Sequence, residues 1–294
     1  MQKEFKNILK KHAKSFYFAG LLLDKKTLND AAILYAFCRQ LDDAADECNQ
    51  AESLNNFSYL INDYKKPSST DPINKAFKEI QNKYNLKQKF IDDLIKGLSS
   101  DINFKQPQNL QELLIYSYQV AGTVGALMAR ILGATHENAW RFAIDLGIGM
   151  QLTNISRDVR EDSMNNRIYI PKAMLPNNFT LKDMKDHSNE GLIFNSINRL
   201  LNIAEQYYES GIDGIYFIPN KNKFSILMAA ILYNSIGKKI IKNKHLFLKK
   251  RIYLNVLEKT VILIQNYSTK NKKYKTTEPT HKTDQLHTPY HLLT

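Results

Sequence analysis

Cysteine is almost missing from this chain. Cys38 and Cys48 are the only two in 294 residues, and a pair ten positions apart fits neither a zinc site nor a disulfide framework. The expectation is a reduced, cytoplasmic protein, with peripheral contact on the inner face of a membrane left open. Glycine and proline, eleven and eight, are few for this length. No apolar run approaches the roughly 20 residues of a membrane span. The run at 16–23 follows a basic start and mimics a secretory signal, but it is short, Asp24-Lys25-Lys26 follows at once and no A-x-A pattern is present. There is no repeat at a solenoid or propeller period, no convincing period-2 strand series and no G-x-G-x-x-G dinucleotide fingerprint.

What is present is apolar, helical and basic. Hydrophobic residues make up 43% of the chain and its formal charge is +12, with a pI near 9.4. A basic balance favours anionic partners: nucleic acid, acidic headgroups or phosphorylated small molecules. Nucleic acid is set aside, because the basic segment lacks aromatic interleaving and no recognisable module is present. Apolar spacing near 3.6 predicts helices over 27–47, 53–64, 74–84, 87–99, 110–132, 137–160, 193–212, 223–242 and 246–267. The "TLKDM" segment reads as a capped restart after a loop holding two prolines. This predicts an all-α single domain over 1–267, followed by a polar tail, 268–294, expected to be disordered. The seven basic residues in 238–251 read first as a solvated helix face, with a membrane-surface contact as the alternative.

The chemistry lies in carboxylate stripes. In "RQLDDAADE", Asp42 and Asp46 share one helix face, with Asp43 one position round and Glu47 beyond. Like charges at that spacing cost a few tenths of a kcal/mol, so a merely solvated face has little reason to carry them. Short carboxylates at i and i+4 suit a hard cation such as Mg²⁺, whose remaining positions go to water and substrate phosphate. Asp158 and Asp162 repeat the spacing, and Asn154 and Gln151 continue that stripe backwards along an apolar helix. Buried charges need counter-ions. Two such stripes facing across a bundle would cage several Mg²⁺ ions and a diphosphate. Arg39, Arg157, Arg160 and Arg167 lie beside them; they either hold phosphate oxygens bidentately or simply pair with the aspartates. Gly122 and Gly125, inside an apolar helix, cost about 1 kcal/mol each relative to alanine. Close helix contact explains them, and so does a groove beside a thinned wall.

Four segments in order, "HAKSFYFAGLLL", "LYAFCRQLDDAADE", "YSYQVAGTVG" and "GIGMQLTNISRDVREDSMNNRIYIP", resemble the squalene and phytoene synthase family, in particular its bacterial phytoene and dehydrosqualene synthases. The resemblance implies a helical isoprenoid-synthase bundle with a central cavity, and head-to-head condensation of two prenyl diphosphates, FPP or GGPP. The cofactor would be two or three Mg²⁺ ions, with NADPH added where squalene is the product. By the same analogy Asp42 and Asp46 bind metal from one side, and Asn154, Asp158 and Asp162 from the other. His12, Lys14, Ser15, Tyr35, Arg39, Gln151, Arg157 and Arg167 would contact diphosphate. Tyr116 and Tyr169 would border the reaction centre, and Phe16, Val120, Ala121, Val124 and Gly125 would line the tail channels. The chain is expected to be a monomer or weak dimer, with peripheral membrane contact for product release. One departure concerns a substrate-facing tyrosine on a C-terminal helix of relatives, where "GKKIIKNKHLFLKKR" offers His245. The competing reading is a non-catalytic, assembly-factor-like member of the superfamily, against which both aspartate stripes are intact.

Overall fold

A computed structural model describes residues 2–46, 50–267, 274–275 and 277–293, so Glu47 and Cys48 fall outside the described residues. Helix follows helix throughout, and no strand occurs among the described residues. Local chemistry sets the ends. Asp24 accepts from the Lys26 and Thr27 amides to start α3 (Lys25–Ala45), and Asp71 does the same for α5 (Pro72–Tyr84), with Pro72 in the first turn. Thr180 and Asp183 form a reciprocal capping box on α10 (Leu181–Lys185), so the "TLKDM" restart is real. Two helices at the N terminus, α1 (Gln2–His12) and α2 (Lys14–Gly20), use the segment that mimics a secretory signal.

The centre of the bundle is α9 (Ala139–Met164). It packs against α8 (Thr123–Ile131), α11 (Glu190–Asp213) and α12 (Asn220–Lys242), so it is wrapped by other helices and its apolar residues spread round its circumference. α4 (Gln50–Lys65) and α5 pack on α3, while α6 (Gln88–Ser100) packs on the region that precedes α8.

Two expected helices are altered. The helix at 110–132 is interrupted: α7 (Leu110–Ser117) passes through one wide π turn, Tyr118–Gly122, before α8 begins, and Gly133 at φ 92° ends it. The helix expected at 246–267 forms only as α13 (Val256–Tyr267); the preceding stretch crosses the bundle as loop. Gly125 and Gly147 explain how close α8 and α9 come. A Cβ at Gly125 would lie 2.1 Å from the Ala143 carbonyl oxygen, and one at Gly147 2.3 Å from that of Ala121.

The last residues depart from the expected disordered tail. The described part of that stretch includes a helical turn, α14 (Thr283–Leu286), with Leu286 and Leu292 buried. Tyr207 of α11 donates to the Leu286 carbonyl at 3.0 Å. Composition undervalued this segment because its anchors are tertiary hydrogen bonds, made to residues far away in sequence.

Candidate active site

One cavity of about 360 Å³ runs through the bundle. Phe16 of α2, Tyr35, Arg39 and Asp42 of α3, and Gln151 and Asn154 of α9 all line it. Tyr116, Val120, Ala121, Val124 and Gly125 supply the facing wall. Eleven of the residues expected at a site therefore share one space. Gly125 satisfies both readings of the glycines, since it permits the α8–α9 contact and faces the cavity.

The remaining carboxylates gather beside the polar end. Arg39 donates to Asp42 at 2.9 Å and pairs with Asp43 on the next turn. Arg167 binds Asp46 at 2.5 Å and also donates to the Asp101 carbonyl at 3.1 Å, which ties the end of α9 to the α3 stripe. Asp158 is held by two guanidinium groups. Arg157 contributes bonds of 2.7 and 2.6 Å, and Arg251, from the loop before α13, contributes 2.8 and 3.0 Å. Arg160 is exposed and does not line the cavity. His12 is also exposed and lines a separate cleft with Arg39 and Asp43. Lys14 is exposed and Ser15 half-buried, and neither lines the main cavity.

The electrostatics of this end are unfinished. Burial, followed by the Asp46 charge, pushes the Asp42 carboxyl up to about 7. Burial, followed by Asp158, pushes Asp162 up to about 8. Both shifts mark carboxylates crowded without enough positive charge. Asn154 donates to Gln151 at 3.2 Å, but its own Oδ1 is buried without a hydrogen-bond partner. Hard oxygen donors, an orphaned amide oxygen and like charges pressed together fit Mg²⁺.

Four residues were missed in sequence. Asp101 accepts from Tyr116 and from Tyr169, each at 2.8 Å, while the two rings stack with centroids 5.2 Å apart. Burial raises its carboxyl to about 6 against the pull of those two hydroxyls. Tyr233 of α12 is buried, packs against Phe16 with ring centroids 4.6 Å apart and the planes tilted by 33°, and interacts with Arg157 and Asp158. His245, the residue offered for a substrate-facing tyrosine, is exposed on the loop, whereas Tyr233 lies beside Arg157. Arg251 and the buried Lys259, whose pKa is lowered by burial and then by Lys14, complete the set. The "LYNS" and "LEKT" contexts carry no motif that would single out these two side chains.

A second polar cluster sits on a different face of α9. Asp145, His281 and His287 bring three metal-type donor atoms within 4.8 Å of one another. Here the carboxylate is already satisfied: Ser210, His281 and His287 approach it at 2.5, 2.8 and 2.6 Å.

The sequence model described as squalene/phytoene synthase matches residues 9–258. The chain is 31% identical over 265 residues to a 15-cis-phytoene synthase of Enterobacter agglomerans, covering 86% of this chain and 90% of that one. It is also 31% identical over 245 residues to a 15-cis-phytoene synthase of Paracoccus sp., covering 78% and 79%. Its fold superposes on a dehydrosqualene synthase with a TM-score of 0.83 at 27% identity, covering 92% of this chain and 96% of that one. With a squalene synthase from Alicyclobacillus acidocaldarius, at TM-score 0.69, 20% identity and coverage of 83% and 94%, it shares the fold. The chain belongs to the squalene/phytoene synthase family of prenyltransferases.

Proposed function

We propose that this enzyme joins two prenyl diphosphates head to head in a Mg²⁺-dependent reaction, through a cyclopropyl diphosphate, to a phytoene-, dehydrosqualene- or squalene-type hydrocarbon. The observation that carries this reading is a single cavity whose lining passes from polar to hydrocarbon along one helix, with Arg39 and Asp42 of α3 at the polar end. On α9 it runs from Asn154 and Gln151 to Ala143 and Ala139, about 23 Å at 1.5 Å per residue. A diphosphate head and an isoprenoid tail need that sequence of surroundings.

Asp42 and Asp46 from α3, and Asn154, Asp158 and Asp162 from α9, are the residues that would hold the metal. When bound, Mg²⁺ neutralises diphosphate charge and makes it a better leaving group. Arg39, Arg157, Arg167 and Arg251 are the cations for the oxygens that metal does not reach. These arginines rest on the same aspartates, so binding a metal–diphosphate would exchange one set of ion pairs for another. Tyr35 and Gln151 line the cavity beside Arg39 and Asn154 and would donate to the same anion. Lys14, next to Lys259, with His12 and Ser15, would reach its outer oxygens.

The C1–O bond of one substrate breaks heterolytically, leaving an allylic cation and a diphosphate. The C2=C3 double bond of the second substrate attacks the cation, and loss of a proton closes the cyclopropane. Burial, then the charge of Asp101, raises the Tyr116 pKa well above its ordinary value. Tyr116 therefore stays protonated and orients the reacting end, which leaves a diphosphate oxygen to take the proton. Phe16, Val120, Ala121 and Val124 keep water from the cations.

The test is to incubate purified protein with farnesyl or geranylgeranyl diphosphate and Mg²⁺, with and without NADPH, and identify extracted products by mass spectrometry. A C30 or C40 hydrocarbon is expected. No product from either substrate overturns the proposal in favour of the non-catalytic reading, and undiminished product in excess EDTA overturns the metal assignment.

A further inference from the structure

Helix α13 packs Ile262 and Leu263 on the core and leaves a second apolar face outside. Its two buried residues are Lys259 and Asn266, while Val256, Leu257, Val261 and Ile264 are 72%, 73%, 42% and 64% exposed. At 100° per residue these four, with Thr260 and Tyr267, occupy one continuous face. A helix that only packed on the bundle would turn that face inward. The lysine side is explained by the site, because Lys259 turns toward Lys14. Tyr267 meets the Phe224 ring edge-on at 5.5 Å, while Val256, Leu257, Val261 and Ile264 stay exposed.

The loop leading into α13 supplies the rest. Lys242, Lys244, Lys249 and Lys250 are exposed and none forms an ion pair with a described carboxylate, whereas Lys238, Lys239 and Arg251 are paired with Glu205, Glu258 and Asp158. Tyr253, 66% exposed, stands between these lysines and the apolar face. An apolar helical stripe beside unpaired lysines, with a tyrosine at the boundary, complements the headgroup and upper acyl region of an anionic bilayer.

The geometry points to the outer face of α13 as a docking surface for a membrane of anionic phospholipid. Twelve residues extend only about 18 Å, so α13 lies in the interface and does not cross it. α12 has the length and hydropathy to cross, but 56% of its apolar window is buried in the bundle, and it belongs to the core. α13 packs on α12, and Ser225, Ile226 and Ala229 of α12 line the cavity. Docking would therefore bring the α12 wall of the cavity to within one helix of lipid, where a hydrocarbon product is soluble. That use rests on the proposed reaction; the docking itself rests on exposure and charge alone.

Sedimentation of the full chain with vesicles tests it separately from turnover. The protein is expected to sediment with phosphatidylglycerol vesicles and to remain in solution with phosphatidylcholine. L257E/I264E is expected to lower affinity by at least about tenfold, as removal of the inserted apolar face requires, and K249E/K250E to lower both affinity and its salt dependence. Turnover of L257E/I264E in detergent should equal that of the wild type, and its circular dichroism should be unchanged. Wild-type protein that ignores both vesicles overturns the proposal. So does binding that K249E/K250E abolishes and L257E/I264E leaves intact, which would be surface adsorption by charge alone. A concentration-dependent dimer that L257E/I264E dissolves would assign the face to a second copy of the chain and overturn it as well.

Discussion

Helix α9 carries two sets of acid, and they are opposites. Asp145 is 0% exposed, and burial alone would raise its pKa. The hydrogen bonds from His281 and His287 outweigh that, and its carboxyl is held below the ordinary range. Asp162, farther along the helix, is only half-buried, yet it is pushed up to about 8 by burial and the neighbouring Asp158. Depth does not separate the two; supply of donors and positive charge does. Asp145 is completed within the chain, whereas the aspartates at the cavity are left for a ligand to complete.

The strongest way to break this contrast is to remove a carboxylate at the unfinished end. Asp42→Asn and Asp158→Asn should each lower turnover by roughly 10³-fold, the scale of losing one group that stabilises transition-state charge. Helical content by circular dichroism should not change. Near-normal rates in either variant would mean the stripe is structural.

The finished end should answer in stability instead. His281→Ala/His287→Ala leaves the Asp145 carboxylate with Ser210 and little else, and stability should fall by about 3 kcal/mol, as for a buried charge that loses its partners. Denaturant melts measure this, and turnover per folded molecule should hold. Truncation after 267 should be destabilising for the same reason. Acid sharpens the point. A carboxyl that ionises below its unfolded value contributes in full above about 3.9, and that contribution is lost as pH falls through the lower folded value. Proteolytic cutting within 277–293 should therefore begin only below the ordinary carboxylate range, and Asp145→Asn should remove that acid-dependent onset.

Smaller effects are expected between these extremes. Tyr233→Phe removes a hydroxyl near Arg157 and should cost about tenfold in turnover, the worth of one hydrogen bond to a charged group. His245→Ala, exposed on its loop, should change neither rate nor melting. A large loss at His245 with none at Tyr233 would restore the sequence-based assignment.

Residues that act through local spacing were legible without a structure. The α3 and α9 stripes and the all-α bundle follow from helical periodicity, while the cavity wall at 116–125 came from the family resemblance. What escaped depends on distant partners. Asp101 becomes part of the site only because Tyr116, Tyr169 and the Arg167 chain end meet it there. Arg251 looked like one more charge in a basic run until the fold laid it on Asp158. The tail was judged by composition, although two histidines and a pair of leucines order it against the core. Which face of α13 looks inward also escaped, because sequence gives the two faces and not their direction.

The wide turn at Tyr118–Gly122 has a geometric consequence for the cavity. Tyr116, Val120, Val124, Met128 and Leu132 all face it, a strict four-residue rhythm. An ideal α-helix drifts by about 40° at each such step, and over sixteen residues the stripe would wind most of the way to the far side. The intercalated residue cancels part of that drift, so this wall stays straight beside a straight hydrocarbon. Losing one residue there would rephase every side chain downstream by about 100°, swinging Val124 and Met128 off the cavity while leaving the composition of the wall almost untouched.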